Sequence, residues 1–215
     1  MQLKEKVIIV TGGAKGIGEG ISTSLAAEGA FVAIVGRNEQ DNLRTVEAIQ
    51  AAGGQDSAEV LRACARLEFL QACALIHDDV MDASDTRRGK PAIHKQFEAL
   101  HNTNDWNGSA KLFGEGSAIL VGDLALSWAD EMLLTSGLSN DQLLRAKAIY
   151  DIMRTELMSG QYLDLLEQVR GGITHERAET VIRFKSAKYT IERPLHLGAA
   201  IAGASPELNQ VLSDY

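Results

Sequence analysis

Proline is scarce in this chain, with three in 215 residues, aromatic side chains make up 5%, and there are only two cysteines. So few prolines leave long stretches that nothing interrupts as helix. Cys64 and Cys73 match no zinc or redox spacing and exclude a disulfide framework, so they read as reduced core thiols. Long apolar runs are missing as well. None approaches the roughly 20 residues of a bilayer span, and no charged segment followed by an apolar one opens the chain, so a cytoplasmic protein without a membrane span is expected. Positive charge is in deficit: the formal charge is −8, which argues against a nucleic-acid partner. What the chain does have is 45% hydrophobic residues, enough for a core.

The most informative stretch is His77-Asp78-Asp79-Val80-Met81-Asp82, followed by Asp85-Thr86-Arg87-Arg88-Gly89-Lys90-Pro91. On a helix, positions i, i+1 and i+4 share one broad face, so Asp78, Asp79 and Asp82 point towards one region and repel each other unless a cation or open solvent intervenes. A few hard oxygen ligands suit Mg²⁺, and the forked donors of Arg87 and Arg88 suit phosphate oxygens. An acidic run is more often plain surface, but this one closes the mostly apolar run 69–76, which favours a site. His77 reads as a satisfied imidazole beside the acids.

The first 55 residues read as strand, glycine turn, helix, strand, helix. Val7-Ile8-Ile9-Val10 and Phe31 to Val35 are short β-branched runs of the kind buried in a parallel sheet. Between them, Thr11-Gly12-Gly13-Ala14-Lys15-Gly16-Ile17-Gly18 opens a helix that stops at Gly29, a setting in which phosphate can approach helix N-terminal N–H groups. Over about residues 5–54 this resembles the opening of the short-chain dehydrogenase/reductase family. That resemblance implies cofactor contacts at Gly12, Gly16 and Gly18, with Arg37 placed for the extra phosphate of NADP(H). No tyrosine is followed four residues later by lysine, however: Tyr150, Tyr162 and Tyr189 meet Arg154, Leu166 and Arg193. An NADP(H)-dependent reductase is therefore the alternative reading, and a non-catalytic composite chain another.

From about Gln55 the pattern turns helical and does not return to strands. Helices are expected over 58–81, 117–134, from the Ser139-Asn140-Asp141-Gln142 capping box to about Glu167, over 175–201 with a kink or break at Pro194, and from Ser205-Pro206 onward. Residues 58–215 resemble a trans-prenyltransferase, an isoprenyl diphosphate synthase of geranylgeranyl type. The motifs that carry the resemblance come in order: Asp78-Asp79-Val80-Met81-Asp82 with Arg87-Arg88-Gly89, Gly122-Asp123, Gly160-Gln161-Tyr162-Leu163-Asp164, and Lys185-Ser186. Taken singly, Gln161 and Asp164 read as a polar stripe, Lys185 and Lys188 as surface, and Trp106 and Trp128 as packing.

The resemblance implies a mainly α fold, with residues 1–55 a partial Rossmann-like β-α-β-α unit and 56–215 a helical prenyltransferase-like domain. It implies Mg²⁺ held by Asp78 and Asp82 with Asp79 in support, an allylic diphosphate gripped by Arg87 and Lys185, isopentenyl diphosphate met by Arg88, and Gln161 facing the reacting carbons. The small residues Cys73 and Ala74 imply an open tunnel and a product of about C20 or longer, since a bulky side chain there would discriminate against longer tails. A homodimer is implied too. The family's second aspartate-rich motif would fall beyond Tyr215, so the acidic stretch is expected to be half of a site and activity to be impaired.

Overall fold

The computed structural model describes residues 7–11, 13–35, 38–51, 58–172 and 174–214. It is mainly helical, as expected, and divides into two compact units, one formed by segments 1–64 and 136–215 and the other by 65–135. No helix among the described residues is long and apolar enough to cross a membrane.

In the first unit, β1 (Val7–Thr11) pairs in parallel with β2 (Phe31–Val35), Val7 opposite Phe31 and Thr11 opposite Val35. The crossover is α1 (Gly16–Ala27), and α2 (Glu39–Ala51) follows β2. Buried hydroxyls fasten the glycine turn: Ser22 Oγ donates to the Gly13 carbonyl at 3.0 Å and Thr45 Oγ1 to the Ala14 carbonyl at 3.2 Å. Asn38 Oδ1 accepts from the Gln40 and Asp41 amides and so opens α2. A pair of parallel strands is too small to stand alone.

Support for it comes from the C-terminal helices of the same unit. The capping box forms as the sequence predicts, with Ser139 and Gln142 reciprocating, and starts α6 (Asn140–Arg170). Its buried residues Ala146, Tyr150, Met153, Leu157 and Gly160 alternate in steps of four and three, one helix face turned to the core. Against this face lie α7 (His175–Ile182), a π-helical segment (Arg183–Glu192) and α8 (Arg193–Ile201), and α8 in turn packs on β1. Arg145 on α6 donates to the Ala200 and Ile201 carbonyls, satisfying the C-terminal end of α8. Ser205 caps α9 (Pro206–Asp214).

The single helix expected over 175–201 is thus three registers in one rod. Pro194 does not break it but stands in the first turn of α8, after ten residues of π-helix. Proline lacks an N–H and its ring meets the carbonyl four residues back, and the wider π turns before it relieve that clash. Nor is Lys188 on the surface. It is buried and donates to Glu156 Oε1 at 2.7 Å, while Arg193 grips the same carboxylate from two sides at 2.6 and 2.7 Å. Arg193 also meets His196 Nδ1 at 3.0 Å, and His196 Nε2 lies 3.1 Å from the Asn209 carbonyl. One half-buried carboxylate thus joins α6, the π-helical segment and α8, and His196 extends the network to α9.

The second unit contains most of α3 (Ala58–Met81), then α4 (Ile93–Thr103) and α5 (Ala110–Leu134), the last two packed closely together. The sequence reading missed α4 and began α5 seven residues late. It also missed a small antiparallel ribbon, β3 (Thr86–Arg87) with β4 (Lys90–Pro91). Both residues of the connecting loop, Arg88 and Gly89, have positive φ, the requirement of a type I′ hairpin.

Burial works against ionisation of Glu156, but hydrogen bonds from Arg193 and Lys188 outweigh it and hold the carboxyl below its usual range. A depressed carboxyl contributes stability above its unfolded pKa and loses it as pH falls through the folded one. Chemical denaturation at a series of pH values should show stability declining below about pH 4.5. Glu156→Gln should cost about 3 kcal/mol at neutral pH and flatten that acid slope.

Candidate functional site

The acidic stretch occupies the last turn of α3, where the sequence predicts it. The helix ends in a Schellman motif: the Ser84 amide donates to the Asp79 carbonyl at 2.9 Å and the Ala83 amide to the Val80 carbonyl at 3.3 Å. Ala83 takes the left-handed position, φ 52°, that glycine usually fills. Asp82 is therefore the C-cap, and Asp78, Asp79 and Asp82 all gather at the negative end of the helix dipole, with no basic residue in the last turn. That concentrates negative potential where a cation is favoured.

The three carboxylates do not behave alike. Asp79 is 3% exposed and faces Arg87, whose Nε donates to its Oδ1 at 2.9 Å and whose Nη2 donates to the same oxygen. Asp78 is half-buried and accepts from Arg87 Nη2 at 3.2 Å, while Asp82 is exposed. The Asp79 hydrogen bond, against the cost of burial and with the charges of both carboxylates, raises the Arg87 guanidinium above its ordinary pKa. Among the described residues no three His, Cys, Asp or Glu side chains gather as a metal cage. The expected set of Asp78, Asp79 and Asp82 is thus a two-carboxylate face plus a buried partner for arginine, because one residue step turns Asp79 inward. One half-buried and one exposed carboxylate still suit Mg²⁺, which keeps several waters and commonly takes the rest of its oxygens from phosphate.

Behind the acids, His77 joins α3 to α5. Its Nε2 lies 3.1 Å from the Ile119 carbonyl and 3.5 Å from Asp123 Oδ1, and its Nδ1 lies 3.7 Å from the Cys73 thiol. Burial, then the Asp123 charge, push that thiol up to about 11, so Cys73 stays protonated as a core thiol. The Gly122-Asp123 motif now has a physical reason. A Cβ at Gly122 would stand 2.2 Å from His77 Nε2, inside the imidazole ring. Of the residues expected to line a tail tunnel, Cys73 is buried and Ala74 half-buried on α3. Phe69 meets Trp128 edge-on, and Trp106 lies in a cluster with Phe113 and His101.

The other expected residues belong to the first unit. Gln161 is half-buried on α6, and Lys185, in the π-helical segment, donates to Asp164 Oδ2 at 2.6 Å. Arg88 is exposed at the hairpin tip with φ 54°, an uncommon conformation for a side chain other than glycine. Gly16 is exposed at the start of α1 and Gly18 half-buried within its first turn, while Gly12 and Arg37 lie outside the described residues. The sequence reading missed Glu156, whose signal was its position on the core side of α6.

A mainly helical chain with an acidic helix end, an Arg-Arg-Gly hairpin and these later motifs in order is of the trans-prenyltransferase class. Comparison with known proteins narrows this. The family profile described as polyprenyl synthetase matches residues 42–215, and the chain belongs to that family. It is 34% identical over 165 residues to a geranylgeranyl diphosphate synthase of Methanosarcina mazei, covering 75% of this chain and 45% of that protein. It is 29% identical over 170 residues to the octaprenyl diphosphate synthase of Escherichia coli, covering 79% of this chain and 46% of that one. Among solved structures it resembles a geranylgeranyl pyrophosphate synthase of Corynebacterium glutamicum complexed with isoprenyl diphosphate and magnesium. The TM-score is 0.71 at 51% identity, over 73% of this chain and 44% of that one. The chain spans less than half the length of these relatives.

The close fit of His77 against Gly122 is directly testable. Gly122→Ala forces the imidazole out of a packed position and should destabilise the protein by about 2 kcal/mol, measured by denaturant unfolding. Gly122→Ala combined with His77→Ala should recover part of that loss.

Proposed function

We propose that this protein serves Mg²⁺-dependent transfer of an allylic prenyl group to isopentenyl diphosphate, with products of geranylgeranyl length or longer. The observation that carries the reading is the α3 terminus: the half-buried Asp78 and the exposed Asp82 one turn apart, with Arg87 held beside Asp78 by the buried Asp79. Asp78 and Asp82 would hold Mg²⁺, which when bound neutralises the diphosphate leaving group. Arg87 and Lys185 would orient the allylic diphosphate, so that its C–O bond ionises to diphosphate and an allylic cation; the double bond of isopentenyl diphosphate would attack that cation, and the tertiary cation formed would lose a proton to the released diphosphate. Arg88 would meet the second diphosphate from the hairpin tip, and the Gln161 amide would steady positive charge on the reacting carbons. The small Cys73 and Ala74 are compatible with a long tail. The relatives named above, prenyl diphosphate synthases all, support this reading, and the one from C. glutamicum was solved with magnesium. The division at about residue 55 is a proposal about composition: the parallel strand pair with its two helices precedes it, and the described residues after it are helical apart from the short β3–β4 ribbon. We propose no NADP(H) chemistry, because no tyrosine–lysine pair four apart is available to it.

We further infer a homodimer formed through α5. The side of α5 buried within its unit carries mostly small residues, Gly114, Ala118, Gly122, Ala125 and Ala129. Its large apolar residues face outward: Leu112 and Leu120 are each 69% exposed, Leu124 45% and Trp128 46%. Together they leave apolar surface exposed on α5, the kind of surface that a partner covers.

Both readings have direct tests. Mg²⁺ with inorganic diphosphate, at about a hundred times its Kd, should stabilise the protein by about 2.7 kcal/mol and raise Tm by several degrees. Asp78→Ala should abolish the rise, and no shift together with no turnover of labelled isopentenyl and farnesyl diphosphates would reject the reading. Light scattering should give twice 23.2 kDa for the chain and 23.2 kDa for Leu120→Glu.

A further inference from the structure

We propose that Asp164 is a positioning residue for Lys185, a carboxylate that fixes where the ammonium is presented to diphosphate. The inference rests on the reading of Lys185 as a diphosphate contact and adds how that contact is kept in place.

Three observations converge on it. The buried face of α6 steps through 146, 150, 153, 157 and 160 by fours and threes, and the next step is 164. Packing alone would put an apolar side chain there, yet the residue is an aspartate. Secondly, a Cβ at Gly160 would stand 2.3 Å from the Lys185 amide nitrogen and 2.5 Å from the Phe184 carbonyl carbon. Only glycine lets the π-helical backbone come this close, and the approach sets Lys185 Nζ 2.6 Å from Asp164 Oδ2 one turn further along α6. Thirdly, the neighbouring cations have carboxylates of their own. Lys188 and Arg193 pair with Glu156 and Glu192, while Lys185 pairs with Asp164.

As a stability device this pair is weak. Both side chains are about a quarter exposed, and pairs open to solvent contribute little. As a positioning device it is well made. A lysine carries much rotamer freedom on its four-carbon stem, and a fixed carboxylate removes that freedom before a ligand arrives. Arg87 is held by the buried Asp79 in the same manner within the other unit. The π register has a use in this light too: departures from α geometry are frequent at functional sites, where they re-aim a side chain.

Isothermal titration of the full chain with inorganic diphosphate in Mg²⁺ tests the proposal, using Asp164→Asn, Asp164→Glu, Lys185→Met and the Asp164→Asn/Lys185→Met double variant. Asp164→Asn should weaken diphosphate binding about tenfold, the size typical of removing an outer partner from a ligating group, and Asp164→Glu should recover part of it. In the Lys185→Met background, Asp164→Asn should add nothing, because its effect passes through the lysine. A full additional loss there, or unchanged or tighter binding by Asp164→Asn alone, overturns the proposal while leaving Lys185 as a contact. Wild-type affinity in Lys185→Met, or no Mg²⁺-dependent diphosphate binding by the wild type, overturns the underlying reading and this one with it.

Discussion

A carboxylate withdrawn from water has to meet a cation or a set of hydrogen-bond donors, and this requirement arranges the polar interior of both units. Asp79 is buried only because the Arg87 fork closes on it. Glu156 sits among α6, the π-helical segment and α8 because Lys188 and Arg193 converge there, and Glu167 near the end of α6 is met by Arg177 from α7. The ribbon of β3 and β4 gains its meaning from the same rule. Two short strands with a strained Arg88 at the turn would contribute little by themselves, but the hairpin brings Arg87 back onto the helix end it follows. Local chain geometry and electrostatics thus specify each other.

What the sequence made legible follows from where apolar side chains carry the pattern. The bounds of α3 read off directly, since its helical apolar pattern runs from Val60 through Ala74 and resumes at Met81 after the acids, and the α6 start was written in the Ser139 and Gln142 pair. Helix α4 was invisible because its most buried positions, seven apart, are His94 and His101, so the face that packs looks polar. The early turns of α5 were hidden by Gly114 and Gly116, poor helix formers in isolation. Composition cannot distinguish π from α turns at all. The pairings that accompany the wider register, Lys188 and Arg193 with Glu156, lie more than thirty residues away in sequence.

The candidate site was legible in residue type but not in division of labour. Charge and helical spacing predict Asp78, Asp79 and Asp82 on one broad face, whereas Asp79 is buried against Arg87, Asp78 half-buried and Asp82 exposed. Whether each faces solvent or protein depends on what packs against the helix, and the hairpin decides it for Asp79. The same distinction separates Lys185 from Lys188: three residues apart, one ends on the half-exposed Asp164 and the other on Glu156 within the network.

Gly122 and Gly160 show why such motifs combine glycine with a polar residue. In each, glycine removes a side chain so that another element can approach, and the polar residue beside it or one turn on receives a group from that element: Asp123 takes His77, and Asp164 takes Lys185. The glycine alone would leave a gap that a single methylene could fill, and the carboxylate alone would leave a charge whose partner stood too far off. Together they hold a nitrogen-bearing side chain at a fixed height above the helix. A chain organised only for stability would fill those two positions with alanine and leucine. On the proposed reading of Lys185 as a diphosphate contact, Gly160 and Asp164 have reason to stay as they are.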